Sequence, residues 1–283
     1  MGLNPLFQED FFLNLQNEYH SVSMVEVEPF YIIDIKKIVF VHLVPLDNLF
    51  LPEQLLSLQT KYQERGLLLV HLWEDVWFSK REQVLSRIRS FCGHNKSLYA
   101  RKTEIIALDQ KQTSVFLNEN HLQGYVKAKY NYGITLNGNL VAVGCFSHVR
   151  PMKSKGVAYQ SAELVRFATK SGYTIIGGLS KLIKYFLQQV QVNDLMTYAD
   201  RDWSLGKGYH KLGFRQSDIT PPAFLYVEIK TLNRYFPHRL PKEILNAYQA
   251  QNILNLDDFI LQRGFVKLFN TGNLKYHLYT NND

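Results

Sequence analysis

Cysteine is nearly absent from this chain: Cys92 and Cys145 are the only two in 283 residues. They have neither metal nor redox spacing, so a disulfide framework and a thiolate metal site are both excluded, and a reducing compartment is expected. No apolar run approaches the roughly 18–20 residues of a membrane-spanning helix. Glu9, Asp10 and Asn14 interrupt the basic-then-apolar order of an export signal. The expectation is a cytoplasmic protein with no membrane span. Blocks of like charge, internal repeats and low-complexity tracts are missing too, which excludes disordered arms and solenoids.

What is present suffices for a well-packed core: 46% of residues are hydrophobic and 13% aromatic. The length allows one large domain or two ordinary ones. Charge is uneven. Residues 1–100 hold 9 Lys/Arg against 12 Asp/Glu, and the remainder 23 against 13, so the excess of +7 belongs to the second part. A basic half suits nucleic acid or an acidic protein partner.

Periodicity predicts an amphipathic helix over Asn4–Tyr19 and strands over Phe30–Ile35 and Ile38–Val44. A helix follows over Pro52–Arg65, then a buried strand over Leu67–Trp73, and a helix over Ser79–Phe91 with Ser79 as N-cap. Tyr99–Leu108 reads as one strand and Gln112–Asn120 as a short helix. Tyr132–Leu136 and Leu140–Phe146, around Asn137-Gly138, read as a tight hairpin. Beyond them come a strand over Ala162–Ala168, a helix over Gly178–Gln189, and strands over Asp194–Ala199 and Phe224–Lys230. The C-terminal region carries a helix around Leu240–Ala250 and a final turn and strand near Phe265–Tyr279. The fold class expected is α/β (α+β), with a domain boundary near residues 95–110.

The stretch Tyr198-Ala199-Asp200-Arg201-Asp202-Trp203 places polar side chains at a strand's end, where open α/β sheets bind ligands. It leads into Gly206-Lys207-Gly208-Tyr209-His210-Lys211-Leu212-Gly213-Phe214. This Tyr-x-x-x-Gly-Phe ending resembles the last helix-to-strand corner of the GNAT (N-acetyltransferase) fold. Phe116–Gly124, Glu163–Phe167, Gly177–Leu182, Thr220-Pro221-Pro222 and Gly264–Tyr276 surround it in an order that resembles a phage family of homing-endonuclease-like proteins. The C-terminal half of that family is GNAT-like and similar to the DNA-modification protein Mom. The resemblance runs from about Phe116 to the C-terminus.

The resemblance implies several roles. Tyr209 protonates a leaving thiolate, with Asp200 beside it and His121 as base or metal ligand. The commoner roles of helix cap and packing residue stand beside these for His121, Asp200 and Tyr209 alike. Gly177, Gly178, Ser180 and Lys181 would hold donor phosphates on a helix N-terminus, or the glycines serve only a tight strand-to-helix turn. The family's Arg/Gln-x-x-Gly-x-Gly/Ala lacks its first residue here, and Leu179 replaces the last small one, so the donor's identity is unassigned. Glu163 and Arg166 lie three apart on a strand and face opposite ways unless a bulge intervenes. Lys127 and Lys129, interleaved with Tyr125, Tyr130 and Tyr132, suit stacking on unpaired bases, as would an exposed Trp203. Arg166 and Arg201 join them as candidate nucleic-acid contacts.

Residues 69–77, with Lys80, Val84 and Ser86-Arg87-Ile88, resemble Vsr-like endonucleases of the PD-(D/E)XK class, as does Ile33-Asp34-Ile35. Their chemistry needs clustered carboxylates around a divalent ion. Asp34 matches the first acid, but Val41 or His42 stands where the second belongs, so no metal is expected. Glu74-Asp75 is either a surviving acid pair or a structural one. The expected organisation is therefore a degenerate nuclease-like α/β domain over 1–98 and a GNAT-like mixed-sheet domain over 99–283. Three functions stand: a DNA-acting protein of phage or mobile-element origin that modifies a base or transfers an acyl group, a non-catalytic hub with protein partners, or a metal-dependent endonuclease. The missing carboxylate counts against the last. All three place the protein in a host cell's cytoplasm.

Overall fold

The structure, a computed structural model, describes residues 5–250 and 255–280. In chain order its elements are α1 (Pro5–Glu18), β1 (Val22–Val27), β2 (Phe30–Ile35), β3 (Val39–Val44), α2 (Pro52–Glu64), β4 (Leu68–Trp73), α3 (Glu74–Phe91), β5 (Lys96–Tyr99) and β6 (Glu104–Ala107). Then come α4 (Gln110–Asn120), β7 (Tyr130–Leu136), β8 (Asn139–Phe146), β9 (Arg150–Pro151), β10 (Gln160–Thr169), β11 (Tyr173–Ile176), α5 (Gly178–Gln189), β12 (Asp194–Asp200), α6 (Lys207–Lys211) and β13 (Arg215–Ile219). The chain ends with β14 (Phe224–Glu228), β15 (Arg234–Tyr235), α7 (Lys242–Ala250), α8 (Leu256–Leu261), β16 (Phe265–Phe269) and β17 (Asn273–Tyr279). The mixed α/β class expected from the sequence is the class observed.

The chain divides into two compact units, each discontinuous in sequence. The first takes the residues up to Arg81, then Asp200–Ser204 and Thr220–Asn273; the second takes Glu82–Ala199, Leu205–Ile219 and the residues from Leu274 on.

In the first unit a sheet runs β1-β2-β3-β4, antiparallel except for the parallel β3/β4 pair. β3 is buried along its whole length, as a parallel strand covered on both faces must be. A second sheet, β15-β14-β16, supplies the rest of this core. Leu225, Val227, Leu268 and Phe269 pack with Val44, Leu55 and Trp73. Each such side chain stabilises by about 1.5–3 kcal/mol when fully buried, so the segment 220–273 is integral to the unit. α3 is kinked at Lys80, which is non-helical at φ −140°, ψ 35°, so its second helical stretch starts just past Ser79 near the expected place; the Ser79 hydroxyl does not cap it but donates to the Asp75 carbonyl.

In the second unit an eight-stranded sheet runs β13-β17-β12-β10-β8-β7-β6, with β9 beside β10. The β7/β8 hairpin turns on Asn137 (φ 50°) and Gly138 (φ 74°), the paired left-handed conformation that Asn-Gly favours. The strand expected over Tyr99–Leu108 is broken by a 3-10 turn, Ala100–Lys102. Before the turn β5 pairs in parallel with β11; after it β6 joins the large sheet. α5 packs on β7 and β8, where Phe186 stacks on Phe146 at 4.2 Å. β10 and β12 are parallel, paired from Ser161↔Asp194 to Leu164↔Thr197. β10 then runs on to Thr169 without further pairing to β12.

Candidate functional site

In the first unit the residues expected to correspond to a nuclease acid set make structural contacts. Asp34 accepts the Lys37 backbone N–H at 2.7 Å and fixes the β2–β3 turn. In the β3/β4 register His42 lies opposite His71, and their Nδ1 atoms meet at 3.0 Å. Both rings are buried, and Phe30 and Phe50 pack on His42. Burial, then His71, holds His42 well below its ordinary value. His71 is pushed down to about 3, chiefly by burial. Glu74 accepts the Leu46 N–H at 2.9 Å, and Asp75 takes a bidentate pair from Arg234 at 2.6 and 2.8 Å. Glu74 thus holds the loop at Leu46, and Asp75 holds β15. Among the described residues no group of three or more His, Cys, Asp or Glu side chains is placed to hold a metal ion.

In the second unit the polar residues gather at a bulge. β10 shifts register against β8 between Leu164 and Arg166. An extra residue lets Glu163 and Arg166 act on one locality despite their odd spacing. Burial raises the Glu163 carboxyl above its usual range, while Arg150 and Arg166 oppose the shift. Tyr198, 38% exposed on β12, is raised by burial, by Glu163 and by Asp218. His121 ends α4, and its Nδ1 accepts the Gln123 N–H at 3.1 Å. Burial first, then Arg166 and Arg87, pushes it down to about 3. Near neutral pH it is therefore an uncharged ring with its proton on Nε2, able to donate from that edge.

A cavity of about 570 Å³ opens at the start of α5. Gly177, at φ 77°, is the N-cap and no side chain caps the helix, so first-turn N–H groups are available to an anion. Gly178 packs tightly: a Cβ there would meet Ile175 at 2.9 Å. Lys181 turns away from this role. Its ammonium donates to the carbonyl of Ala100 at 2.9 Å, to the carbonyl of Thr103 and to Thr103 Oγ1. Those bonds anchor the 3-10 turn, which brings Arg101 to the cavity. Arg101 adds to the cavity a cation that the sequence motif did not mark. Its only signal was a basic pair beside Tyr99, with no spacing to tie it to Gly177.

The other expected residues are dispersed. Asp200 Oδ1 accepts the Asp202 N–H at 3.0 Å, and Asp200 and Arg201 fall in the first unit. The Arg201 carbonyl accepts from Gln59, and burial lowers its guanidinium's affinity for its proton. Asp202 is buried against Trp73 Nε1 (3.2 Å) and Thr271 Oγ1 (2.6 Å). Trp203 is buried, not exposed, and offers no stacking face. Tyr209, in the second unit, packs between Phe214 and Tyr276, each 5.4 Å away. Tyr132 is buried and Tyr130 packs on Phe186 at 5.6 Å, so neither ring stands free beside the exposed Lys127 and Lys129.

No family model matches the chain, and no curated protein matches it in sequence. Among solved structures it is similar to a Bacillus subtilis acetyltransferase in complex with CoA, at 14% identity and a TM-score of 0.35, covering 63% of this chain and 98% of that one. It is similar to the IAA acetyltransferase from Bacillus cereus at 14% identity and a TM-score of 0.36, covering 63% and 99%. It is similar to Arabidopsis thaliana Naa50 in complex with a bisubstrate analogue at 11% identity and a TM-score of 0.36, again covering 63% and 99%. At these values the similarities assign neither activity nor ligand to this chain.

Proposed function

We propose that this is a DNA-associated protein of phage or mobile-element origin whose second unit is a GNAT-like acyl-transfer module. In this reading the first unit, which the segments 200–204 and 220–273 complete, keeps a nuclease-like fold without its metal chemistry, and the second unit carries the transfer. The observation that carries it is the β10 bulge. There a partly buried Glu163 with a raised pKa, paired opposite Met196, lies diagonally from Tyr198, the first β12 residue past the last β10–β12 pair. A carboxyl tuned upward accepts a proton near neutral pH better than an ordinary one. Glu163 takes a proton from the acceptor nitrogen as that nitrogen bonds to the acyl carbon. Tyr198 or Tyr209 returns a proton to the leaving sulfur. A bound acyl thioester supplies the activated acyl group, and the α5 amide groups with Ser180 and Arg101 fit its phosphates.

The test is calorimetric titration with acetyl-CoA at pH 7.5. Binding in the micromolar range, lost in Arg101→Glu and kept in Glu163→Gln, supports the reading. Absence of binding at millimolar ligand removes it. The non-catalytic alternative, an accessory protein or interaction hub, is favoured by one observation: the candidate His121 is held neutral with Nδ1 committed to backbone. Failure to bind acetyl-CoA is the outcome that hub reading expects.

A further inference from the structure

The cavity at α5 extends along one side of the helix. Lys181, Lys184, Tyr185 and Gln188 line it, at spacings that share a helix face. Opposite them stand Tyr99 and Arg101 from the end of β5 and the 3-10 turn, with Ile105 of β6. In the large sheet β6 is the far edge, beyond β8 and β7 from β10. The groove therefore opens on the flank of α5 remote from the place where β10 and β12 part.

Its surface combines flat rings and unpaired cations. Tyr99 is 49% exposed, and the Arg101 guanidinium lies 5.2 Å from its centroid. Tyr185 is fixed edge-on by Tyr132 at 5.0 Å. Among the described residues neither Arg101 nor Lys184 has an ion pair, and no carboxylate lines the groove. Cations beside aromatic faces are how proteins hold unpaired bases and their phosphates. A duplex hides its base faces and gains nothing from the rings. We propose that this groove binds a short stretch of single-stranded nucleic acid, with bases on Tyr99 and Tyr185 and phosphates on Arg101 and Lys184. The inference rests on the DNA-association part of the proposed function; the groove shares Arg101 with the proposed donor site, so the two ligands should compete.

The experiment is fluorescence anisotropy of the full chain with labelled dT12 and with a 12-base-pair duplex, between 50 and 200 mM salt. The variants are Tyr99→Ala, Arg101→Glu and Lys184→Glu, with Lys111→Glu on α4 as a control of equal charge change. All four positions are at the surface, and matching thermal melts confirm folding. Expected results are dT12 binding at least tenfold tighter than duplex, and at least tenfold loss in Arg101→Glu and in Lys184→Glu. The slope of log affinity against log salt should shrink by about 0.7 per phosphate contact removed. Tyr99→Ala should weaken binding fivefold or more with the slope unchanged, which a purely electrostatic surface would not give. Equal affinity for duplex, groove variants that bind like the control, or no dT12 binding at 50 mM salt would each overturn the proposal. Acetyl-CoA titration of the same samples separates the two readings. Donor binding without dT12 binding leaves acyl transfer standing and removes the groove.

Discussion

The paired imidazoles of His42 and His71 set an acid limit on the first unit. Each is buried, and each loses basicity mainly by burial. An unfolded histidine titrates near 6.5. A base whose folded pKa is depressed contributes full stability above the unfolded value and loses it as pH falls toward the folded one. For His71, with a folded value of about 3, the loss between pH 7 and pH 5 is about 2 kcal/mol. His42 and His121 act in the same direction. Thermal melts should therefore fall steeply from pH 7 to 5, and less steeply in His42→Leu/His71→Leu; equal slopes would show that the pair does not matter. Two glycines of one turn make a second contrast. At Gly206, with φ 69°, a Cβ would lie 1.9 Å from the Tyr276 hydroxyl oxygen, whereas at Gly208 it meets nothing within 4 Å. Gly206→Ala should cost on the order of 2–4 kcal/mol from overpacking and backbone strain. Gly208→Ala, in a short helix, should be neutral or slightly stabilising. Denaturant midpoints of the two variants decide this directly.

At the scale of elements, one side chain ties the start of α5 to the 3-10 turn. Lys181 ties it to the carbonyls of Ala100 and Thr103 and to the Thr103 hydroxyl. Lys181→Met keeps the stem but leaves those carbonyls with a lost donor, a change of about 1–3 kcal/mol. Amide exchange at Thr103, which donates to the Ala100 carbonyl at 3.1 Å, should quicken, and dT12 affinity should fall as Arg101 loosens. Unchanged exchange would show that the turn holds itself. The loop before β10 has its own anchor. Asp194, fully buried, accepts from Lys155 at 2.8 Å, from Tyr159 at 2.6 Å and from Ser161, with His277 Nδ1 at 3.3 Å. Despite burial, these donors hold its carboxyl below the usual range. Asp194→Asn should open residues 152–159 to limited proteolysis, and equal protection would sink the anchor assignment.

For the molecule as a whole, compactness does not follow chain order. The first unit closes its core only with Leu225, Val227, Leu268 and Phe269. A fragment of residues 1–98 lacks them and should bind hydrophobic dye and melt without cooperativity; a sharp transition by calorimetry would show that the N-terminal sheet stands alone. The sequence by itself determined most elements, because their signals are local. Apolar runs marked β3 and β4, Asn137-Gly138 marked the hairpin, and the apolar period with Gly177-Gly178 marked α5. It was silent on β13, whose residues are all exposed at a sheet edge. Only the tertiary structure decided what surrounds the candidate sites. The bulge that reconciles Glu163 with Arg166, the turn that carries Arg101 to α5 and the pairing of His42 with His71 all depend on residues far apart in sequence. Local pattern sets which elements form; charge, burial and pKa arise from contacts that exist only after those elements have packed.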